Sequence, residues 1–255
     1  KSKNSNLEKL SSGSRINKAA DDAAGLAISE KMKASIRGSQ QAERNANDGI
    51  SMIQVAEGAT NEVSNILIRL RELSVQSASD TVGDKEREFT DKEFQNLTQE
   101  IDRISASTEF NGKKLINGEG DKIDFQIGIH NDENNDRLSY DVSSANVSTS
   151  ALNIEGINVS SKGDAQENLA KIDEAINSVN SNRANFGALQ NRLQSSVRNL
   201  QVKTENLAAA NSQIRDTDIA QTSADMTRDN ILSQAGSSVL AQANNAGQSA
   251  LRLIG

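Results

Sequence analysis

The chain has 255 residues, a net charge of −7, no Cys, no Pro and no Trp, and only 2% aromatic residues. The lack of Cys excludes disulfides and thiolate chemistry, and the acidic balance argues against a nucleic-acid-binding surface. Hydrophobic residues make up 35% of the chain, which is lean for a thick core, and the lack of Pro suits thin bundles of unbroken helices.

The N-terminal region is polar up to residue 6, and Ser12-Gly13 predicts a break that continues as an extended or turning segment. Asp21 or Asp22 can cap the helix that follows, because a carboxylate accepts a hydrogen bond from a free backbone N–H. The first residue is Lys1, so we expect the chain to be part of a longer translation product. No secretory signal peptide is visible.

A long helix is predicted over residues 23–78. Its apolar stripe has gaps of three and four residues and comprises Ala42, Ala46, Ile50, Ile53, Ala56, Ala59, Val63, Ile66, Leu70 and Leu73. A loop around Gly83 leads to a second helix over residues 85–105. The charged residues of that helix are expected to form a solvated face, and they are Glu86, Arg87, Glu88, Lys92 and Glu93.

The pattern changes to a period of two after the turn dipeptide Asn111-Gly112. Three strands are predicted, on Ile123, Phe125, Ile127 and Ile129, on Leu138, Tyr140 and Val142, and on Leu152, Ile154, Ile157 and Val159. The acidic segment 130–136 joins the first two strands. We interpret it as a solvated hairpin turn and not as a calcium site, because its spacing does not match an EF-hand loop.

The most regular pattern is a coiled-coil seam over residues 168–214. Its positions alternate by three and four residues without a slip, which keeps one stripe facing one partner. They are Leu169, Ile172, Ile176, Val179, Arg183, Phe186, Gln190, Leu193, Val197, Leu200, Thr204, Leu207, Asn211 and Ile214. The natural intrachain partner of this helix, which would be roughly 70 Å long, is the helix over residues 23–78.

A last helix carries an apolar stripe for which the chain shows no matching partner. We assign an assembly role to this stripe, whose residues are Leu232, Ala235, Val239, Ala243, Ala246, Ala250 and Leu253. We expect these residues to pack on N-terminal residues that precede Lys1, on neighbouring subunits, or on both.

Residues for catalysis are scarce. His130 is the only His and lies in a polar turn, so zinc sites that need two His and a Ser-His-Asp triad are disfavoured. No glycine loop has the spacing of a phosphate or dinucleotide site. We therefore expect no enzyme activity, no catalytic residue, no metal and no cofactor. No apolar run reaches the length of a membrane span, so no membrane partner is expected.

Five motifs closely resemble those of bacterial flagellins and cover the chain except for about residues 118–162. They are residues 8–29 (EKLSSGSRINKAADDAAGLAIS), 45–51 (NANDGIS), 69–76 (RLRELSVQ), 109–115 (EFNGKKL) and 231–235 (ILSQA). The resemblance implies a mainly α fold, a long antiparallel helical rod or coiled coil with a small β-hairpin region. By the same resemblance, we expect the large outer domains of long flagellins and the family's first N-terminal helix to be missing from this chain.

The resemblance also implies a domain layout. Residues 1–22 would be the N-terminal linker of a shaft domain, residues 23–110 and 163–214 the two halves of a helical rod domain, residues 111–162 a β-hairpin region, and residues 215–255 the C-terminal shaft helix. The implied function is a self-assembling subunit of the extracellular flagellar filament, exported by the flagellar type III system.

The implied partners are other copies of the chain, the flagellar cap and junction proteins, an export chaperone at the C-terminal segment, and host flagellin receptors. For vertebrate Toll-like receptors the resemblance points to Arg69, Leu73 and Glu93, and residues 8–29 resemble the epitope of the plant flagellin receptor kinase. The alternative to receptor binding is a purely structural interpretation, in which Leu73 lies in the core and Arg69 is a solvated charge.

Family members often carry O-linked glycans on their outer surface. The corresponding hydroxyl residues here are Ser143, Ser144, Ser148, Thr149, Ser150, Ser160 and Ser161, for which a plain exposed loop is the favoured interpretation. Two other functions remain open at this stage, a hook-filament junction protein and a soluble coiled-coil adaptor.

Overall fold

The computed structural model describes residues 2–254, and side chains are described for residues 4–243. Its elements in chain order are α1 (Ser2–Ser12), α2 (Ala23–Ser77), α3 (Asp84–Ser107), β1 (Glu109–Phe110), β2 (Lys113–Lys114), β3 (Ile123–Gln126), β4 (Arg137–Tyr140), a 3-10 turn (Ser143–Ala145), α4 (Lys162–Arg215) and α5 (Ile219–Ile254). The predicted fold class, mainly α with long helices and small hairpins, is confirmed. The chain divides into two compact units, Lys1–Arg37 with Lys203–Gly255, and Gly38–Val202.

Three of the long helices begin at a side-chain cap. Asp22 accepts a hydrogen bond from the backbone N–H of Gly25 at 2.8 Å, which confirms the predicted cap of α2. Ser161 accepts one from the N–H of Asp164 at 3.1 Å, and Asp218 accepts one from the N–H of Gln221 at 3.1 Å. Each cap satisfies an N–H that has no partner within its own helix.

The Ser161 cap gives a direct prediction. We expect Ser161→Ala to lower the free energy of unfolding by about 1 kcal/mol, because the N–H of Asp164 loses its acceptor. Ser178→Ala is the control, since Ser178 is exposed in the middle of the same helix, and it should leave stability unchanged or raise it slightly. The measurement is chemical denaturation of both variants. Equal stabilities would contradict a capping role.

Within the unit of residues 38–202, α2 and α4 are antiparallel and keep one register. Nε of Arg71 lies 2.6 Å from Oδ1 of Asp173, and Nε2 of Gln201 donates to Oε1 of Glu43 at 2.7 Å. The two contacts are 28 residues apart on each helix, so the register does not slip between them. All fourteen predicted seam positions of α4 are buried or half-buried, which confirms the seam.

The β3–β4 hairpin packs closely against α2. Its strands are antiparallel, with Ile123 opposite Tyr140 and Phe125 opposite Leu138. A Cβ atom at Gly49 would lie 2.9 Å from Cδ1 of Phe125, so only glycine allows this approach. The first predicted strand is shorter than expected, because the ladder ends at Gln126 and a turn begins.

The predicted third strand is wrong. Leu152, Ile154, Ile157 and Val159 are buried as the pattern required, but they lie in turns and extended backbone. Side chains of α3 replace the missing neighbouring strand. Asp91 accepts a hydrogen bond from the N–H of Val159 at 2.8 Å, and Gln95 donates to the carbonyl of Ile157 at 2.8 Å. Because side chains of α3 already form hydrogen bonds with these backbone groups, the segment does not require a neighbouring strand.

Two residues predicted to be exposed are buried. Arg87 does not belong to a solvated face, because its guanidinium donates to the carbonyls of Ser77 and Ser79, both at 2.9 Å. It thereby fixes the turn between α2 and α3. Thr149 is also buried, and its hydroxyl and its N–H both donate to Asp102. Thr149 is therefore not an exposed hydroxyl.

In the other unit, the predicted break after α1 forms at Gly13, whose φ of +68° favours glycine. The backbone that follows pairs with the turn between α4 and α5. The N–H of Arg15 donates to the carbonyl of Arg215 at 2.6 Å, and the N–H of Thr217 donates to the carbonyl of Gly13 at 3.0 Å. These bonds order residues 13–15 without a helix.

Candidate assembly and recognition surfaces

The first candidate surface is an exposed cluster of charges between α2 and α3. Arg69 donates to Oε1 of Glu93 through Nε at 3.0 Å and through Nη2 at 2.8 Å. Its Nη1 donates to Oε2 of Glu72 at 2.9 Å. The hydrogen bond with Glu72 has the largest effect on the pKa of Arg69 and raises it. The hydrogen bond with Glu93 raises it further, so the guanidinium stays charged. Arg69 and Glu93, predicted to act together, are therefore neighbours in space.

Leu73 does not share this exposed surface. Its side chain is only 2% exposed and belongs to the core. This burial agrees with the alternative interpretation in which Leu73 belongs to the core, since α2 packs against both α3 and α4 and needs a broad apolar face. Glu72 was missed by the sequence analysis, although its spacing of three residues from Arg69 places both on one helix face.

The second candidate surface is the later part of α5. Helix α1 contacts α5 early, where the side-chain amide of Asn6 donates to Asp229 at 3.2 Å. This hydrogen bond precedes the predicted assembly stripe, which begins at Leu232. Among the described side chains of α5, the buried and half-buried ones lie within residues 222–230, and every one from Ile231 to Ala243 is exposed.

Four large apolar side chains stand on this exposed part of α5. Ile231, Leu232, Val239 and Leu240 are each more than 60% exposed. Of the predicted assembly residues, Leu232, Ala235, Val239 and Ala243 are exposed, whereas Ala246, Ala250 and Leu253 lie outside the described side chains. Apolar surface of this extent on one helix is typical of protein–protein contact.

The hydroxyl residues considered as glycan positions, other than Thr149, are accessible. Ser143, Ser144, Ser150, Ser160 and Ser161 are exposed, and Ser148 is half-buried. Ser161 is also the cap of α4, so a bulky group on its hydroxyl would remove that cap.

Residues for chemistry do not come together. Among the described side chains, no group of three or more His, Cys, Asp or Glu is arranged to hold a metal ion. His130 is exposed in the hairpin turn. Within residues 2–254, none of the helices combines the length and the apolar character that a membrane crossing requires.

Long antiparallel helices with exposed apolar and charged surfaces are typical of helical structural proteins. Residues 1–121 match the bacterial flagellin N-terminal helical region, and residues 169–254 match the bacterial flagellin C-terminal helical region. The chain belongs to the bacterial flagellin family.

Two related flagellar proteins are similar in sequence to this chain over nearly its whole length, and a solved flagellin structure is similar over part of it. A flagellin of Halalkalibacterium halodurans is 45% identical over 97% of this chain and 90% of its own length. A flagellar filament 33 kDa core protein of Treponema phagedenis is 42% identical over 98% of this chain and 91% of its own length. The crystal structure of Bacillus cereus flagellin has a TM-score of 0.55 and 32% identity, and the match covers 66% of this chain and 94% of that one.

Flagellins are structural proteins of the extracellular flagellar filament and not a family of enzymes. The chain is therefore a structural subunit of a flagellar filament, and the predicted family, filament role and extracellular location are confirmed.

Proposed function

We propose that many copies of this chain assemble head to tail into the filament that drives swimming, with the exposed part of α5 as a main contact between copies. The observation that carries this proposal is the row of apolar side chains from Ile231 to Leu240. When a contact joins two different patches and its rotation does not close a ring, its repetition produces an open helical filament.

Electron microscopy of the purified full-length protein tests this proposal. Long polymers support a filament subunit, whereas a stable monomer would favour the soluble coiled-coil adaptor. Short assemblies that add only to the end of a preformed filament would favour the hook-filament junction protein. The five flagellin motifs continue through Asn111-Gly112, which favours the filament subunit.

The finer steps of assembly belong to the same proposal. The unfolded chain would pass through the flagellar type III system, and a chain without disulfides suits such passage. Before assembly an export chaperone would cover the apolar part of α5. At the growing end the subunit would contact the cap protein, and at the base the junction proteins.

We also propose that host flagellin receptors bind the monomer at the Arg69–Glu93 pair. Both side chains are about half exposed, and Arg69 offers a planar fork of donors. Ion pairs at the surface contribute little to stability, so this pair is available to a partner. Residues 8–29 are the corresponding proposal for the plant receptor kinase.

A binding titration of the monomer with a flagellin-sensing Toll-like receptor checks this prediction. We expect Arg69→Ala and Glu93→Ala each to weaken binding by at least about tenfold, as truncation of a binding hot spot does. The matched control is Arg103→Ala with Glu100→Ala, an exposed pair on α3 whose Nη2 and Oε1 atoms are 2.6 Å apart. If Arg69→Ala and Glu93→Ala bind as tightly as the control, the Arg69–Glu93 pair is not the receptor site.

A further inference from the structure

A cavity of about 290 Å³ opens between β4, the 3-10 turn and α4. The rings of Tyr140 and Phe186 contribute to its wall, with centroids 5.7 Å apart and planes tilted by 53°. Asp141 and Arg192 are among the other lining residues and give it charges of both signs. A cavity of about 150 Å³ can hold benzene, so this β4–α4 cavity has room for an aromatic side chain.

Asn182 is only 7% exposed and adds a polar group to the wall of the cavity.

The complementary feature lies on α3. Phe89 is 69% exposed, the largest value among the large apolar side chains described. Nζ of Lys92 lies 5.4 Å from the centroid of the Phe89 ring, and Glu86 lies one turn earlier on the same helix. Phe89 with these two flanking charges forms a projection that we call the Phe89 knob. Burial of an exposed phenyl ring against the aromatic part of such a cavity wall is favourable, because it removes apolar surface from water.

We propose that the Phe89 knob of one copy of this chain inserts into the β4–α4 cavity of the next copy, an inference that rests on the assembly proposed above. The phenyl ring would extend the Tyr140–Phe186 pair into a cluster of three rings. Lys92 would face Asp141, and Glu86 would face Arg192, so that opposite charges meet at both sides of the ring.

Hydrogen bonds from Ser143 fix the position of the Asp141 carboxylate. Its carboxylate accepts hydrogen bonds from the hydroxyl of Ser143 at 2.7 Å and from the N–H of Ser143 at 3.0 Å. These bonds lower the pKa of Asp141 and keep the carboxylate ionised. A fixed anion beside the two rings of the cavity wall suits an aromatic side chain that has an ammonium group next to it.

The knob and the cavity lie at different levels of the same unit. The contacts Arg69–Glu93 and Arg71–Asp173 place Phe89, one turn before Glu93, near the level of Asp173. The cavity residues of α4 begin at Asn182 and extend to Arg192, roughly 15–30 Å further along the helix at 1.5 Å per residue. One chain therefore does not fill its own cavity, and each contact displaces the next copy along the helix axis.

Cross-linking in assembled filaments tests the contact, because the natural chain contains no Cys. We expect filaments of the variant Lys92→Cys with Asp141→Cys, treated with a short bis-maleimide, to give a ladder of covalent multimers on a denaturing gel. Each single-Cys variant should give no ladder. The pair Lys92→Cys with Val202→Cys is the matched control, since Val202 is an exposed residue of α4 outside the cavity.

Substitutions without a cross-linker give a second measurement. We expect Phe89→Ala to raise the critical concentration for polymerisation by at least about tenfold with an unchanged melting temperature, whereas Val202→Ala should change neither. Lys92→Glu should impair polymerisation, and Asp141→Lys added to it should restore it.

The outcomes separate the two proposals. If the unmodified protein forms no filaments, the proposed function fails. If it forms filaments but the test pair gives no more multimers than the Val202 control pair, or Phe89→Ala polymerises like the unmodified protein, the knob-and-cavity contact is overturned and the filament role stands.

Discussion

We expect removal of residues 231–255 to abolish polymerisation while the unit of residues 38–202 stays folded. Every side chain from Ile231 to Ala243 is exposed in the single chain, so the loss of this stretch removes little buried surface from it. Helix α1 keeps its contact with the first turns of α5, including the hydrogen bond between Asn6 and Asp229. The apolar row that would pack on neighbouring copies is lost completely.

Sedimentation and electron microscopy measure the assembly, and a thermal melt measures the fold. A milder variant replaces Ile231, Leu232, Val239 and Leu240 with Ser, and its matched control replaces the exposed residues Val55 and Val202 with Ser. The α5 variant should remain monomeric and the control should polymerise. Long filaments of the truncated protein would show that α5 is dispensable for assembly.

The sequence predicts the long helices well, because their signals are periodic and local. The 3-4 spacing along residues 168–214 requires one continuous buried stripe, and the structure buries or half-buries all fourteen positions. Asp22 was predictable as a cap because its carboxylate precedes the helix directly. Signals of this kind depend on neighbouring residues and not on the remote parts of the chain.

The errors arise where distant side chains decide the outcome. The spacing of two between Leu152 and Ile154 predicts burial correctly, as does that between Ile157 and Val159, but a strand also needs a neighbouring strand. Here Asp91 and Gln95 of α3 bind that backbone instead. In the sequence, Arg87 looks like an exposed surface charge. Its burial depends on the carbonyls at the end of α2, which lie beside it only in the folded chain. No local pattern contains that information.

The charge cluster around Arg69 also depends partly on local sequence and partly on contacts between distant residues. Arg69 and Glu93 are 24 residues apart, and only the folded helix pair brings them within hydrogen-bond distance. The motif around Arg69 pointed to both through the family resemblance. It could not distinguish Leu73, which supports the core, from the exposed charge one turn away. The β4–α4 cavity was invisible in the sequence because it lies between elements that are remote in the chain.

The second large effect is expected from Leu193→Ala. Leu193 is 0% exposed and belongs to the core cluster of the unit of residues 38–202. The constant register of α2 and α4 places it at the level of Met52 and Ile53, which are also buried. Truncation removes apolar contacts and leaves a cavity that a helix pair held at both ends cannot close.

We therefore expect Leu193→Ala to lower the free energy of unfolding by roughly 2–5 kcal/mol and the melting temperature by roughly 5–20 °C. The control is Val202→Ala on the same helix, where Val202 is 58% exposed and the change should stay within about 0.5 kcal/mol. Thermal and chemical unfolding of both monomers measure the difference. A melt of Leu193→Ala that matches the control would mean that the seam of α4 faces solvent in the monomer. In that case the helix pair would depend on neighbouring copies, and the single chain would not be an independently folded building block.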